Sequence, residues 1–484
     1  MDLSPYLDKV VAQDQEGAAL LNAICVPTLR NVEDFVEVLD SEMGGLKVVR
    51  IPEGHRALAF SVPGLDYKRP DWHTASMVDY LAWIAAEAGA KPLVLADVVD
   101  SNSGDIGLID LVGKVMAERA DYHRFGIING ENAILGARVN PNVQANVCGT
   151  LLCMYEERMK ELVNERLSLL GIQYFDFDPK GRAIYLNCDG IGTKPEFYER
   201  LRRFPGALYD SLAMKVDDAS KVGAEVIAVF DMLEHRGSIP TRAFEEEACY
   251  VTRTMGFPYY VVPHRADSRW MGYTRKAPAF NLSGTAISLI DEERLRNSLH
   301  PKAGDYLIAI RGNPTPRSNG ISAKRKAMVE MLGPRYHLSD EGKKYLGFLA
   351  EPSTVFYPVF KQLIDGGLAS WVTHMSGGAF DSKLAKPLAK HGLYAELSRI
   401  YEPDPREVAL CGDTPVQAVY GMFPMGNEAF IASDKPASAL ALIRSKGLDA
   451  KVVSILKSTE DGKTGVLFRA HNGEPVYFSG TKAA

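Results

Sequence analysis

The chain has 484 residues, 46% of them hydrophobic and 24% charged, with a formal net charge of −6. This is the balance of a globular protein and excludes a disordered or fibrous one; at roughly 100–200 residues per domain the length allows two to four domains. A net-negative chain offers no global field to a polyanion, which sets nucleic acid aside, whereas small phosphorylated ligands, held by local loops and metal ions, stay open. The cysteines (Cys25, Cys148, Cys153, Cys188, Cys249, Cys411) show no CxxC or zinc-type spacing and read as reduced, mostly buried thiols. The amino terminus lacks the basic and apolar regions of a signal peptide, and no apolar run approaches the roughly 20 residues of a membrane span. The expectation is a cytoplasmic protein with no membrane partner.

In chain order, residues 1–50 read as an amino-terminal extension. The apolar run Ala57–Val62, bounded by Gly/Pro turns, predicts a buried strand. A helical stretch and a second apolar run ending at Asp97 follow. The same order then returns: a strand over Ala183–Leu186, a helix over Tyr209–Val222 stopped by Gly223, and a run ending at Asp231. Asn146-Val-Cys-Gly-Thr150 is answered by Asn281-Leu-Ser-Gly-Thr285. The offsets are 126 from Gly64 to Gly190, 134 from Gly89 to Gly223, 134 from Asp97 to Asp231 and 135 from Gly149 to Gly284. A nearly constant offset over separated blocks, broken by one insertion of about eight residues, indicates a repeated α/β unit. Two such sheet-bearing units, 51–170 and 171–304, are expected to pack about a pseudo-two-fold axis, so that the chain contains its own dimer. Beyond Asp305 the pattern does not repeat. A strand over Tyr306–Ile310, a Gly/Pro-punctuated loop to Gly320, a basic helix over Ser322–Leu332, a strand over Glu428–Ser433 and a helix over Ala437–Lys446 make a separate α/β domain, 305–484.

The strongest local signal is Cys188-Asp189-Gly190-Ile-Gly192-Thr193-Lys194 at a strand end. Small residues let the backbone approach a ligand, Lys194 suits a phosphate and Asp189 suits Mg²⁺; the P-loop spacing is absent. Asp217 and Asp218 interrupt an otherwise apolar helix, and Asp231 ends a strand where α/β proteins place ligands. With Asp97 of the first unit they form a candidate metal set, because gathered carboxylates need a shared cation or proton. In the first unit Asp189 is replaced by Pro63 and Asp217/Asp218 by Trp83/Ile84, while Lys68 and Asp97 remain. Asn129-Gly-Glu131-Asn-Ala133 stands where the second unit has His264-Arg-Ala-Asp267. Each unit has kept a different polar set, as one composite site between them requires. Arg317-Ser-Asn319-Gly320 before a helix and the turn Gly377-Gly378 are candidate phosphate loops. His374 reads as a packed histidine with an active-site role open, and Lys324-Arg-Lys326 as a solvated helix face. Each of these also has a plain structural reading as a cap, turn or solvated face. No nucleophile arrangement is visible, so covalent catalysis gains no support.

These residues resemble a family. Asp189–Lys194, Gly223–Asp231, Gly304-Asp-Tyr-Leu-Ile-Ala309, Pro316–Gly320, His374-Met-Ser-Gly-Gly-Ala-Phe380 and Tyr420-Gly-Met-Phe423, in this order over about residues 182–457, look like phosphoribosylformylglycinamidine cyclo-ligase, or aminoimidazole ribonucleotide (AIR) synthetase. The resemblance implies an α/β (α+β) fold with two tandem A-type domains, the first degenerate, and a carboxy-terminal domain closing over the site. Family members pair these domains as homodimers; here they are fused, and further association stays open. It also implies ATP and Mg²⁺ as cofactors and a phosphoribosyl substrate. Asp189, Lys194, Glu131 and His374 would be catalytic, Gly190, Gly192, Thr193, Asn319, Gly320, Gly377 and Gly378 would hold the nucleotide, and Asp217, Asp218, Asp231 and Asp97 the metal. The chain departs from the family in four places: no Ala-Gly-Val-Asp-type motif in residues 1–50, Arg317 in place of the loop histidine, Phe423-Pro424-Met-Gly426 for Phe-Asn-x-Gly, and no Gly-Glu-Thr-Ala equivalent in the second unit. A relative using ATP on another acceptor, and an inactive binding homologue, are the alternatives.

Overall fold

The structure, a computed structural model, describes residues 1–40, 47–65, 69–139, 143–265, 278–313, 315–459 and 462–481. Two sheets share one strand order. In the first, Gly126–Ile134, Lys91–Ser101, Ala145–Glu156 and His55–Pro63 lie side by side; in the second, Tyr259–Arg265, Glu225–Arg236, Ala279–Ile290 and Ala183–Gly190 do the same. In each, the first two strands are parallel and the remaining neighbours antiparallel. All residues of Ala279–Ile290 are buried, because helices cover one face of the sheet and the other sheet covers the opposite face.

The sheets meet face to face through Val94, Ala96, Leu152, Ile184, Phe230 and Ile287, among others. Thr150 Oγ1 donates to Thr285 Oγ1 at 2.8 Å, and Cys148 Sγ lies 3.1 Å from Ser283 Oγ. Residues 135 apart thus touch each other, the pattern that a two-fold axis between repeated units produces. Off the axis the contacts are reciprocal: Asn146 donates to Glu234 at 2.6 Å, Asn281 to Asp100 at 2.7 Å. Edge strands are exchanged as well. Tyr174–Phe177, which opens the second unit, pairs with His55–Pro63, while Lys47–Arg50, which precedes the first, pairs with Ala183–Gly190 through Val49 and Ile184.

The register corrects two alignments. Gly149 faces Val62 and Gly284 faces Asp189, so the counterpart of Asp189 is Val62, not Pro63; matching the turn glycines Gly64 and Gly190 displaced the alignment by one. Asp97 faces Gly130 and Asp231 faces Val261, so Glu131 corresponds to Val262 rather than to the 264–267 segment. A bulge opposite Leu95/Ala96, where Ile128 is the extra residue, accounts for one residue of that slip. Lys68 and Asp267 lie outside the described residues.

Gly284 marks the tightest strand contact. A Cβ there would fall 1.9 Å from the Phe230 carbonyl oxygen and 2.8 Å from Asp231 Cα, both on the adjacent strand, whereas at Gly149 it would meet only the ends of Leu95 and Met77. Gly284→Ala is expected to destabilise the protein by about 3 kcal/mol or more in urea unfolding, and Gly149→Ala by clearly less.

The carboxy-terminal part packs on the outer face of the second unit. Its main sheet runs Trp371–His374, Ala429–Ser433, Tyr306–Arg311, Asp449–Ile455, and helix Ala207–Lys221 sits between the second sheet and both Tyr357–Asp365 and Trp371–His374. The predicted extension is a strut. Helix Ser4–Cys25 lies along Gly126–Ile134 and Ile106–His123, Leu3 is buried in the carboxy-terminal core, and the Met1 ammonium meets Asp413 at 2.6 Å. No helix among the described residues is long and apolar enough to cross a membrane.

Candidate functional site

The strand Ala183–Gly190 delivers Asp189, half-buried, to the junction of the sheets; its Oδ1 accepts the Gly190 N–H at 2.7 Å. The first unit reaches the same strand end. Asn129 Nδ2 donates to the Leu186 carbonyl at 2.5 Å and the Cys188 thiol to the Asp97 carbonyl at 3.0 Å. Glu131, half-buried and two residues beyond Asn129, and Asp189 both act on the Cys188 thiol, from opposite sheets. In the other half of the pseudo-dimer both positions are valines, Val62 and Val262.

The carboxy-terminal part adds a buried polar chain. The Arg317 guanidinium, fully buried, donates to Asp217 Oδ2 at 2.8 Å, to His374 Nδ1 at 3.0 Å and to the Thr354 carbonyl at 2.8 Å. A guanidinium can only donate, so Nδ1 of His374 accepts and Nε2 carries the proton, which it donates to Asp218 Oδ1 at 2.5 Å. Burial, reinforced by the Lys221 charge, holds the His374 pKa well below its usual value and keeps the ring neutral. Burial opposes ionisation of Asp218, but its ion pair with Lys221 and the bond from His374 outweigh it and hold the carboxyl below the usual range. Asp189 goes the other way: burial, then the Asp218 charge, pushes it up to about 7.

Several predicted ligands are committed elsewhere. Lys194 is fully buried, donating to Asp210 at 2.6 Å and to the Glu351 carbonyl at 2.9 Å, so its ammonium faces the core instead of an open phosphate site. Asp231 accepts from Lys215 at 2.6 Å, from Ser211 at 3.0 Å and from Tyr259. Asp217 takes Arg317 and the backbone N–H groups of Phe356 and Tyr357, each at 2.8 Å. Asp97 is buried, and burial raises its pKa to about 7. The expected four-carboxylate metal set is thus not assembled, and among the described residues no group of three or more His, Cys, Asp or Glu side chains is placed to hold a metal. Protein cations neutralise Asp217 and Asp231 where an ion was expected. Lys324 also departs from the solvated face assigned to it: it is buried, 3.1 Å from Glu407.

The candidate loops converge. Thr193 Oγ1, in the turn that follows Gly190 and Gly192, lies 3.0 Å from Ser322 Oγ. Gly320, at φ +62°, caps helix Ile321–Leu332 against the Phe423 ring, and a Cβ on Gly377 would lie 3.6 Å from Asn319 Oδ1. Asn319 is 8% exposed and its Nδ2 has no hydrogen-bond partner among the described residues. Gly378, at φ +80°, leaves no room for a side chain beside Ser382, and Ala379 follows at φ +29°, a strained backbone of the kind that gathers at functional sites. The π-helix Phe380–Ala385 begins there. It carries Lys383, half-exposed and without an ion pair among the described residues, whose charge acts on Asp189 and Asp218. Sequence reasoning missed Lys383, Lys221 and Arg317's pairing; the basic residue three positions after Phe380 was the available signal for the first.

No protein-family model matches the chain. In sequence it is 27% identical over 265 residues to the phosphoribosylformylglycinamidine cyclo-ligase of Thermococcus kodakarensis, covering 53% of this chain and 75% of that protein. It is 26% identical over 261 residues to the enzyme of the same name from Pyrococcus horikoshii, covering 51% and 71%. The solved phosphoribosylformylglycinamidine synthase II of Thermotoga maritima is similar at a TM-score of 0.38 and 15% identity, over 61% of this chain and 43% of that one, so the match spans less than half of that protein. The chain is an α/β protein with two face-to-face sheets and a polar site where they meet the carboxy-terminal part. The family it resembles in sequence is that of the phosphoribosylformylglycinamidine cyclo-ligases, ligase-type enzymes also called AIR synthetases.

Proposed function

We propose that the chain is an ATP-dependent cyclo-ligase that converts formylglycinamidine ribonucleotide to AIR. The γ-phosphoryl group of ATP passes to the formamide oxygen, releasing ADP; the substrate's own amidine nitrogen then attacks the activated carbon, phosphate leaves with that oxygen, and the imidazole ring closes with loss of a proton. Such chemistry asks for positioning and charge stabilisation rather than a nucleophile. The observation that carries this reading is that three parts of the chain supply charge around one strand end: Asp218, bonded to His374, acts on Asp189, and Glu131 acts on the adjacent Cys188. Lys221 and Lys383 supply positive charge beside it.

Asp189 and Asp218 fit Mg²⁺ in the way that ion is usually held, by one or two carboxylates together with substrate phosphates; their mutual repulsion is what raises Asp189 beyond the effect of burial. Bound there, Mg²⁺ would neutralise phosphate charge. Arg317 fixes the His374 tautomer, and Asn319 Nδ2 is a donor available to a phosphate at the start of helix Ile321–Leu332. The same reading divides the chain into an extension at 1–50, A-type domains at 51–170 and 171–304, and a closing domain at 305–484.

One observation favours a second reading, an ATP-using enzyme acting on a different acceptor: helix Ser4–Cys25 occupies the place where the family's amino-terminal motif was expected. Incubation with ATP, Mg²⁺ and formylglycinamidine ribonucleotide separates the readings. ADP together with AIR supports the cyclo-ligase, substrate-dependent ADP without AIR supports the second reading, and failure to bind ATP excludes both.

A further inference from the structure

The two units present different outer faces. Helix Pro70–Ala88 of the first unit is the counterpart of helix Ala207–Lys221 of the second, and both leave their last turn in the same way: the Ala90 N–H donates to the Ala85 carbonyl and the Ala224 N–H to the Ala219 carbonyl, an offset of 134 for donor and acceptor alike. In the second unit this face is covered by the carboxy-terminal part. Arg317 and the N–H groups of Phe356 and Tyr357 hold Asp217, and the Ser353 N–H holds Asp210 at 3.0 Å. In the first unit the same two positions are Trp83 and Ser76, so neither offers a carboxylate. Trp83 is 46% exposed, while the Ser76 hydroxyl turns back on its own unit, accepting from the Leu65 N–H and donating to the His73 carbonyl. The Tyr80 ring stacks on Trp83 at 5.7 Å, and Trp72, 51% exposed, lies 5.2 Å from the Arg69 guanidinium. Exposed aromatic surface of this kind marks a contact site.

We propose that this face joins two copies of the chain about a two-fold axis. Trp72, Ala75, Asp79, Trp83 and Ala86, all at least partly exposed, recur every three or four residues and so form one stripe along the helix. When two such helices pack antiparallel with Asp79 on the axis, Trp72 of one copy faces Ala86 of the other and Trp83 faces Ala75. Large stands against small at every off-axis position of the stripe, so each indole has a gap to fill. Self-complementarity of this kind specifies a second copy, because an unrelated partner does not require it. The charges permit the contact. Asp79 is met by Arg119 at 2.6 Å and by His123 at 2.9 Å, so two ion pairs rather than two bare carboxylates share the axis. Arg69 and Asp71, paired at 2.6 Å, stand at the rim and add no net charge. The sheet-to-sheet contact is already made inside the chain, so this two-fold is a different one and joins two such bodies through their first units. The inference does not depend on which reaction the polar site performs.

The test is sedimentation velocity of the full-length protein at micromolar concentrations, beside Trp83→Glu and Trp72→Glu, with circular dichroism as the check on folding. Both tryptophans are exposed, so the variants are expected to fold like the wild type. The expected result is a wild-type dimer, with self-association at least tenfold weaker in each variant. A wild type that stays monomeric overturns the proposal. So does a dimer that Trp83→Glu leaves intact, which would place the contact on another face. Cross-linking tests the axis. In a Cys249→Ser background, which removes an exposed native thiol, Asp79→Cys is expected to give a covalent dimer under mild oxidation, because two copies of an axial residue face each other. Glu87→Cys, about two helical turns away, is expected to give none. Cross-linking through Glu87→Cys, or none through Asp79→Cys, overturns the antiparallel pairing.

Discussion

Asp189→Asn and Glu131→Gln are each expected to lower turnover by about 100-fold or more, and Asp189→Asn is expected to do so while making the protein more stable above pH 7. A charged group in a partly dry site contributes on the order of 3 kcal/mol to a phosphoryl-transfer step. Asp189 pays for that position in stability. Its pKa is raised to about 7 in the folded state, by burial and then by Asp218, from an ordinary value of 3.8. Between those two pH values the folded chain binds a proton that the unfolded chain has lost, so stability falls as pH rises through the window and the full penalty stands above pH 7. Asparagine removes the penalty, and each kcal/mol recovered raises Tm by roughly 2–4 °C. Under the proposed function the same titration limits binding: wild-type affinity for a Mg²⁺-nucleotide is expected to fall as pH drops below about 7. Full activity in either variant, or an Asp189→Asn protein less stable than wild type at pH 8, would contradict this assignment.

Arg317→Ala is expected to cost about 3–5 kcal/mol in urea unfolding, the usual consequence of removing one partner of a buried ion pair. The change strands three acceptors at once: Asp217 Oδ2, His374 Nδ1 and the Thr354 carbonyl. Asp217 keeps only the backbone N–H groups of Phe356 and Tyr357, which join helix Ala207–Lys221 to the carboxy-terminal part. Burial already raises Asp217 to about 6 against the pull of Arg317. Without the guanidinium it rises further, so the variant's deficit shrinks as acid protonates Asp217. Lysine will not rescue, because a point charge cannot reproduce the planar fork. Arg317→Met combined with Asp217→Asn is expected to recover most of the loss. A deficit under 1 kcal/mol for Arg317→Ala would show that the chain of bonds does not hold these elements together.

The repeated unit was legible because its offset survives over three blocks, and the contacts Thr150–Thr285 and Cys148–Ser283 fall on residues that the offset pairs. Its fine register was not. A bulge at Leu95/Ala96 adds one residue to a strand without any change in composition, and the turn glycines Gly64 and Gly190 resemble each other although they occupy different positions in the ladder. Asp189 and the turns at Gly320 and Gly378 are visible in the sequence because each breaks an apolar run at an element end, whereas Glu131 lies within strand Gly126–Ile134. Asp217, Asp231 and Lys194 gave the same signal and proved to be internal ion pairs. Their partners are Arg317, 100 positions away, Lys215 on the facing helix, and Asp210, which reads as an ordinary first-turn residue. One-dimensional spacing shows a charge in an apolar segment, but not which cation folds onto it. Lys383 escaped because a π-helix has no sequence period of its own. Helix Ser4–Cys25 was passed over although Gly17, Leu21 and Cys25 mark one face at helical spacing; Leu21 and Cys25 are buried, and Gly17 lies tight against Asn132.

The proposed function implies one composite nucleotide site on a chain built of two paired sheets, because Val62 and Val262 stand where Asp189 and Glu131 would complete a second. Equilibrium dialysis of the full-length protein against a non-hydrolysable ATP analogue with Mg²⁺ tests it directly. One nucleotide per chain, lost in Glu131→Gln, is the expected result; two per chain, or one that Glu131→Gln leaves in place, would contradict it.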